Sequence, residues 1–337
     1  MTELSLARPI LEGNEKKYLL ECVETGYVTH AGRFEGEFEK AFGTRFNTPC
    51  IATSSGTGAL HLALLSLGIG PGDEVIVPNL TFGATASVVL AVGARPVLVE
   101  VRQDTWGLDR ERLLGVLNKK TRAIIPVHLY GEDAGDFRQF GIPVIEDACE
   151  ALGMVPIRGD FTAYSFYGNK TITTGEGGML CGRDLRHAKD YRDGGFDAEY
   201  RNRVPGLNYR MSNMQAAIGL AQLERFDELL GKRIANVERY KRSLKGKGNW
   251  LFCVETDDPR GLQTYLKEHG IDSRPIFNPL HLSPAFRQFA KGKYKVSESI
   301  WMRHLALPTG PHVQEEQQEE VMRLVNLYIC GAADSSL

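Results

Sequence analysis

Short apolar runs rich in valine and isoleucine alternate with helix-patterned stretches through the first two thirds of the chain. The runs have the length and composition of buried strands, and they are DEVIVP from Asp73, RPVLVEV from Arg95, RAIIPVHL from Arg122, IPVIEDA from Ile142 and TAYSFY from Thr162. Between them lie SGTGALHLALLSLG, FGATASVVLAVG and DRERLLGVLNKK, which have helical spacing. This alternation predicts an α/β fold with a mostly parallel sheet covered by helices on both faces.

The pattern changes after Met211. The stretch SNMQAAIGLAQLERFDELLGKRIANVERYKRSL predicts one long helix or two joined helices, with Ser212 as the N-cap. We expect this segment to lead into a smaller C-terminal α/β domain. The predicted large domain is therefore residues 1–231, including an N-terminal helix, and the predicted small domain is residues 232–337.

Charge and cysteine content exclude several classes of protein. Because 40 Lys and Arg residues oppose 42 Asp and Glu residues, no global positive field would recruit nucleic acid or an anionic membrane. Six scattered cysteines without a CxxC pair indicate neither a disulfide framework nor a zinc site. The start lacks a signal-peptide pattern, and the most apolar window, ASVVLAVGA, is too short to span a bilayer. We therefore expect a cytoplasmic protein.

The ends of the predicted strands are the places to look for a site, because ligands of open α/β sheets bind beyond the carboxyl ends of strands. After Thr53 the small-residue turn SSGTG leads directly into a helix. Free backbone N–H groups and the helix dipole make such a turn a candidate phosphate site, although it could equally be a plain N-cap. It lacks both the GK[ST] of a P-loop and the third glycine of a dinucleotide fingerprint.

Three further strand ends carry residues suited to a reaction or to binding a ligand. The strand IPVIEDA ends in Glu146 and Asp147, and a carboxylate buried there needs a cation or strong donor, such as a protonated ring nitrogen; Asp147 could also cap a helix. The adjacent strand brings Ser165 and Lys170 to the same edge. Phe82, in PNLTF, offers a flat apolar surface or packs in the core.

Together these features predict a pyridoxal phosphate site. A lysine forms a Schiff base with the cofactor aldehyde, and an acid keeps the ring nitrogen protonated so that the ring can act as an electron sink. The glycines in TITTGEGG, directly after Lys170, let the backbone turn sharply beside the cofactor. Alone, Lys170 would be taken for a solvated surface charge; the combination favours the cofactor.

Six motifs resemble signatures of the DegT/DnrJ/EryC1/StrS family of nucleotide-sugar aminotransferases: SSGTGALHLAL, PNLTF, PVHLYG, EDACEALG, YSFYGNKTITTGEGGML and GLNYRMSNMQAAIGLAQLE. The similarity begins at about Leu11 and covers nearly the whole chain. It implies the aspartate-aminotransferase fold, which is fold type I of pyridoxal phosphate enzymes. It also implies a homodimer with active sites at the subunit interface.

The resemblance implies roles for individual residues. Lys170 is then the lysine bound to the cofactor, Asp147 the partner of the pyridine nitrogen, and Phe82 the residue stacked on the ring. Glu150 occupies a position beside the cofactor where many relatives carry Gln or His.

The resemblance also implies a set of phosphate ligands. Ser165 and the backbone of Gly56 and Thr57 would bind the phosphate within one subunit. Asn208, in GLNYRM, resembles the phosphate ligand that the neighbouring subunit supplies. The loop YVTHAG, residues 27–32, would likewise reach the partner's site.

The implied substrates are L-glutamate as amino donor and a nucleotide-linked keto sugar as acceptor. GNKTITTGEGGM and Glu150 favour the branch of the family that acts on a 4-keto-6-deoxy sugar. The leading substrate is GDP-4-keto-6-deoxymannose, which gives GDP-perosamine for lipopolysaccharide O-antigen. Glu150, Tyr167 and His281 are candidates to face the sugar, although Tyr167 could be a packed aromatic and His281 an ordinary loop histidine.

Other functions remain open at this point. Only MVPIR separates EDACEALG from GDFTAYSF, where relatives usually carry a longer stretch, and the region around GNWLFCVETDD is also abbreviated. A dTDP- or UDP-linked 4-keto or 3-keto sugar is therefore the alternative substrate. A sugar dehydratase of this fold would carry His in place of Lys170, and a nicotinamide-dependent oxidoreductase would need GxGxxG. A non-catalytic regulator would need neither Lys170 nor the cofactor motifs.

Overall fold

The computed structural model of the chain describes residues 4–334. The helices are α1 Glu15–Thr25, α2 Arg33–Phe46, α3 Gly56–Ser66, α4 Ala84–Ala91, α5 Arg110–Leu114, α6 Arg186–Arg192, α7 Asn213–Glu224, α8 Phe226–Ser243, α9 Pro259–Glu268, α10 Lys295–Arg303 and α11 Glu315–Asp334. The strands are β1 Cys50–Thr53, β2 Glu74–Pro78, β3 Arg95–Val99, β4 Thr121–Ile124, β5 Ile145–Asp147, β6 Phe161–Ser165, β7 Gly178–Gly182, β8 Gly246–Lys247, β9 Cys253–Glu255, β10 Arg274–Pro275 and β11 His304–Ala306. Within these residues, every helix is too short or too polar to cross a bilayer.

The larger sheet has the strand order β3-β2-β4-β5-β6-β7-β1. All its strands run parallel except β7, which is antiparallel to both of its neighbours. Single bridges from Ile124 to Val144 and from Val127 to Asp147 connect β4 to β5. The five strands predicted from the sequence correspond to β2 through β6, and the prediction of a mostly parallel sheet is confirmed.

Helices cover this sheet on both faces because its central strands are apolar on both sides. In β7, for example, Met179 packs into an aromatic-rich cluster with Phe38 and Phe42 of α2. Leu180, which points the other way as strand geometry requires, packs with Leu60 of α3. The carboxyl ends of the parallel strands and the start of α3 thus meet at one edge of the sheet.

The helical segment after Met211 forms two joined helices, α7 and α8, which is one of the two predicted alternatives. Ser212 is the N-cap: its hydroxyl accepts the N–H of Gln215, and the Gln215 side chain accepts the N–H of Ser212. This reciprocal pair is a capping box, and it fixes the beginning of α7.

A second, antiparallel sheet lies in the C-terminal part of the chain, in the order β10-β11-β9-β8. Its apolar side packs on α8, α9 and α11. Leu4 joins this region through a backbone bridge to Ile271. Because α8 runs across residue 231, the predicted boundary lies inside a helix, and the division at 231/232 stays a prediction.

Candidate active site

The N-terminus of α3 lies against the end of β6. Ser55 is the N-cap, and its hydroxyl accepts one N–H of the first turn, whereas the N–H groups of Gly56 and Thr57 have no partner inside the helix. A Cβ on Gly56 would lie 2.7 Å from Sγ of Cys149 and 3.0 Å from Cβ of Ser165. Glycine is therefore what lets the helix start approach the serine so closely. The result is a small polar cradle suited to an anion.

The glycines that follow Lys170 permit β7 to approach the start of α3 closely. A Cβ on Gly178 would lie 2.4 Å from the carbonyl carbon of Ser55 and 2.6 Å from the nitrogen of Gly56. Gly175 has a φ of +80°, in the left-handed region that glycine adopts without steric cost. The sharp turn predicted from TITTGEGG is thus confirmed, and it brings β7 against the cradle.

Asp147 is buried at the end of β5 and accepts two hydrogen bonds. The hydroxyl of Thr85 donates to its Oδ2 at 2.8 Å, and the N–H of Cys149 donates to its Oδ1 at 3.2 Å. Thr85 itself lies 3.0 Å from the hydroxyl of Thr81. Sequence reasoning missed Thr85, because a threonine in the first turn of a helix carries no signal of such a role. These bonds fix a carboxylate whose other lone pairs can meet a ring N–H.

Glu146, the neighbouring acid, has a structural role instead. Its Oε2 accepts two backbone N–H groups at 2.9 Å and the hydroxyl of Thr162 at 2.7 Å. Burial alone would raise the pKa of Glu146, but His128 and the backbone donors hold it below its ordinary value. Glu146 is therefore engaged in hydrogen bonds within the fold, and Asp147 is the acid that remains available to a ligand.

Phe82 is 61% exposed. Its ring centroid lies 5.5 Å from that of Phe277, at an interplanar angle of 53°. The core-packing alternative for Phe82 is thereby excluded. An aromatic face left open at a strand end is suited to stacking on a planar ligand.

Lys170 is not a solvated surface charge, since only 14% of its side chain is exposed. Its Nζ lies 3.6 Å from Oε1 of Glu150 and 4.1 Å from the ring centroid of Trp250. The other oxygen of Glu150 accepts the N–H of Tyr130 at 2.8 Å. Burial raises the pKa of Glu150, while the charge of Lys170 opposes that rise. An amine held in this way suits covalent chemistry.

Sequence reasoning also missed the residues on the far side of Lys170. Tyr130 has a φ of +52°, and its ring centroid lies 5.9 Å from Trp250 and 5.3 Å from Phe277. The buried Arg233 donates to the carbonyl oxygens of Trp250 at 2.7 Å and of Lys170 at 3.2 Å. Tyr130 could have been found from its place after a strand, in PVHLYG. Trp250 and Arg233 carry no sequence signal of a role at this site.

The candidate sugar-facing residues differ in their surroundings. Tyr167 is half-exposed, three residues before Lys170, which excludes a packed aromatic. The ring of His281 lies 3.0 Å from Oε1 of Glu298, 2.9 Å from Nδ2 of Asn79 and 4.7 Å, between centroids, from Tyr294. The contact of His281 with a sugar stays a prediction, because its ring nitrogens already have partners within the chain.

Asn208 is exposed and forms a backbone bridge with Asp193. The next residue, Tyr209, returns to the cradle: its carbonyl accepts the N–H of Ser54 at 2.8 Å, and its hydroxyl lies 3.0 Å from Nδ1 of His61. Asn208 therefore lies on an open face beside the α3 start. Its action in a partner's site stays a prediction.

The residues at this edge fit pyridoxal phosphate by their chemistry. The α3 start and the Ser165 hydroxyl offer hydrogen bonds to a phosphate, and the buried carboxylate of Asp147 suits a protonated ring nitrogen. Lys170 offers an amine to an aldehyde, and Phe82 an aromatic face to the ring.

Comparisons with known proteins agree with this chemistry. The model of the DegT/DnrJ/EryC1/StrS aminotransferase family matches residues 9–326. The chain is 41% identical to GDP-perosamine synthase of Caulobacter vibrioides, covering 96% of this chain and 97% of that protein. It is 35% identical to GDP-perosamine synthase of Vibrio cholerae, with 95% and 97% covered.

Solved structures of related proteins superimpose closely on this chain. An aminotransferase named for the same family, from Brucella abortus, superimposes with a TM-score of 0.87 at 30% identity, covering 94% of this chain and 95% of that one. The PLP form of Spr1654 from Streptococcus pneumoniae gives a TM-score of 0.86 at 26% identity, with 95% and 97% covered.

Proposed function

The chain belongs to the DegT/DnrJ/EryC1/StrS aminotransferase family, and we propose that it transfers an amino group from L-glutamate to the keto group of GDP-4-keto-6-deoxymannose, giving GDP-perosamine. The predictions of the family, of fold type I and of pyridoxal phosphate dependence are confirmed. One observation carries the choice of substrate: the similarity to proteins named GDP-perosamine synthase extends over nearly the whole chain.

Each residue of the site has a role in this reaction. When bound, pyridoxal phosphate supplies an electron sink for the carbon that loses a proton. Lys170 would hold the cofactor through its aldehyde, and Nζ of Lys170 would take up and return that proton in both halves of the transfer. Asp147, oriented by Thr85, keeps the ring nitrogen protonated. The α3 start and Ser165 hold the phosphate.

A substrate panel tests this function. The purified enzyme would be incubated with pyridoxal phosphate, L-glutamate and GDP-, dTDP- or UDP-linked 4-keto-6-deoxy sugars, and the products weighed by mass spectrometry. We expect amination of the GDP-linked sugar. Efficient conversion of another sugar with the GDP-linked one untouched would contradict the substrate but leave the aminotransferase activity. The Lys170→Ala variant is the control, and it should show no turnover.

We also propose that the enzyme works as a cytoplasmic homodimer and that its product, GDP-perosamine, is used in O-antigen synthesis. In support, Leu20 and Val23, three residues apart on α1, and the nearby Tyr27 have exposed side chains, and exposed apolar patches mark interaction sites. Two-fold dimers are the commonest symmetric oligomers.

Subunit mixing tests the shared site. A Lys170→Ala chain and an Asn208→Ala chain should each be inactive alone. Mixed and allowed to exchange subunits, they should recover part of the activity, because heterodimers contain one undamaged site. Absence of recovery, with exchange demonstrated by mass, would argue for sites within single subunits.

A further inference from the structure

The ammonium group of Lys170 faces an aromatic ring that belongs to a distant part of the chain. Nζ lies 4.1 Å from the ring centroid of the buried Trp250, well within the range of about 6 Å over which an aromatic face attracts a cation. Tryptophan provides the strongest such face, and the attraction grows where water is excluded.

Trp250 is held in this position by hydrogen bonds at three of its atoms. Its indole Nε1 donates to the carbonyl of Asn169 at 3.2 Å, its backbone N–H donates to the carbonyl of Tyr130 at 2.8 Å, and its own carbonyl accepts from Arg233 at 2.7 Å. Arg233 also donates to the carbonyls of Asn169 and Lys170. The ring and the lysine turn are therefore fixed to each other through one network.

Glu150 does not secure the ammonium form by itself. The distance of 3.6 Å from Nζ to its Oε1 is longer than a hydrogen bond. Its other oxygen is occupied by the N–H of Tyr130. The aromatic face supplies a second contact for a charged side chain that is only 14% exposed.

We propose that Trp250 is a positioning residue for Lys170: its indole face, with Glu150, stabilises the ammonium form of the amine whenever that amine is not bound to the cofactor. This inference rests on the proposed function, in which Nζ must hold a proton and then return it. Trp250 would thus govern how readily Lys170 keeps that proton, without touching the substrate.

The test is the pH profile of acylation of the Lys170 amine, in the full chain freed of cofactor. Only the unprotonated amine reacts with an acylating reagent such as acetic anhydride, and mass spectrometry of peptides measures each lysine separately. The variants are Trp250→Leu, Trp250→Phe and, as a matched control, Phe252→Leu, which removes a buried ring two residues away that packs on Tyr240 instead.

We expect Trp250→Leu to move the midpoint of the Lys170 profile about one pH unit lower, with labelling near pH 7 about tenfold faster and the rate at high pH unchanged. Trp250→Phe should shift it less, and Phe252→Leu not at all. A rate increase equal at every pH would mean that access alone had changed, and it would overturn the inference, as would an unmoved midpoint.

Two features keep the test decisive. If Trp250→Leu does not fold, Trp250→Phe still replaces indole by a weaker aromatic face of similar shape, and an unmoved midpoint there would count against the proposal. The labelling needs no sugar, so a wrong substrate assignment would appear only in the panel of nucleotide sugars and would leave this result intact.

Discussion

Among the described residues, Arg192 and Arg233 are the buried arginines, and their charges are balanced in opposite ways. Arg192, at the end of α6, lies among carboxylates, whereas Arg233, in α8, lies among backbone carbonyls. Each supports one part of the proposed site. Arg192 precedes the segment that carries Asn208, and Arg233 holds the turn that carries Lys170.

The surroundings of Arg192 contain more acid than base. Its Nη1 lies 3.1 Å from Glu35 and 2.8 Å from Glu39, and its Nε lies 2.8 Å from Asp193. Burial raises the pKa of Glu35 to about 7; Glu39 and Asp193 add to the rise, and Arg192 opposes it. The charge of this cluster therefore changes within the ordinary working range of pH.

Arg233 has no such partner. Its nitrogens donate to the carbonyls of Trp250, Asn169 and Lys170, and no carboxylate of residues 4–334 lies near enough to shift its pKa, which burial alone lowers. Carbonyl dipoles, rather than carboxylates, surround the guanidinium. The lysine turn is thus supported without further negative charge beside Lys170, whereas we expect the charge around Arg192, before the Asn208 segment, to change with pH.

The largest effect on stability should come from Arg192→Met. This change leaves Glu35, Glu39 and Asp193 close together without their cation, and removal of one member of a buried ionic group typically costs about 3–5 kcal/mol. Urea unfolding should show that loss at pH 8 and a smaller loss at pH 5, where Glu35 is neutral. An equal loss at both pH values would show that Glu35 does not titrate in this range.

Arg233→Met should cost less, about 2–3 kcal/mol, because it leaves neutral carbonyls without donors rather than charges without a partner. The same unfolding measurement should give a smaller difference between pH 5 and pH 8 than Arg192→Met gives, because, within the described part of the chain, the only pKa near Arg233 that its charge lowers in this range is that of His312, and burial is the larger cause there. Arg233→Lys is the control: it retains a cation and some of the hydrogen bonds and should recover part of the stability. A strong dependence on pH would reveal a titrating neighbour and remove the contrast with Arg192.

The same contrast explains how much could be predicted from the sequence. Asp147 and Ser165 end their strands and Gly56 and Lys170 lie shortly after strand ends, and the rule that ligands bind at those ends is enough to place them at one edge of the sheet. Trp250 and Arg233 reach the lysine turn only through the packing of α8 and the segment after β8. No local pattern encodes contacts between residues so far apart in the chain.

The strands missed in the sequence have a related explanation. β1 and β7 are buried in the sheet, but CIAT is only four residues long, and GMLCG has no β-branched residue and a glycine at each end, so neither stands out as a strand. The predicted helix DRERLLGVLNKK forms only over Arg110–Leu114. It ends where Gly115 follows, since glycine is unfavourable in a helix interior.

The smallest effect, and the only stabilising one, should come from Glu35→Gln. The pKa of Glu35 is raised from its ordinary value of 4.5 to about 7 in the folded chain. Its contribution to stability is therefore fully present below the lower value and is lost as the pH rises through 7. Because glutamine cannot ionise, the variant should exceed the wild type by about 1–2 kcal/mol at pH 8 and resemble it at pH 5.

Urea unfolding between pH 5 and pH 8 measures this difference, and Glu37→Gln on the same helix is the matched control. Glu37 is an exposed partner of Arg33 at 2.6 Å, and exposed pairs of this kind contribute about 0.5 kcal/mol or less, at any pH in this range. A Glu35→Gln variant that is less stable than the wild type at pH 8 would mean that attraction to Arg192 outweighs the cost of burying the charge. The cluster would then resemble an ordinary ion pair, and the two buried arginines would differ in their partners but not in their response to pH.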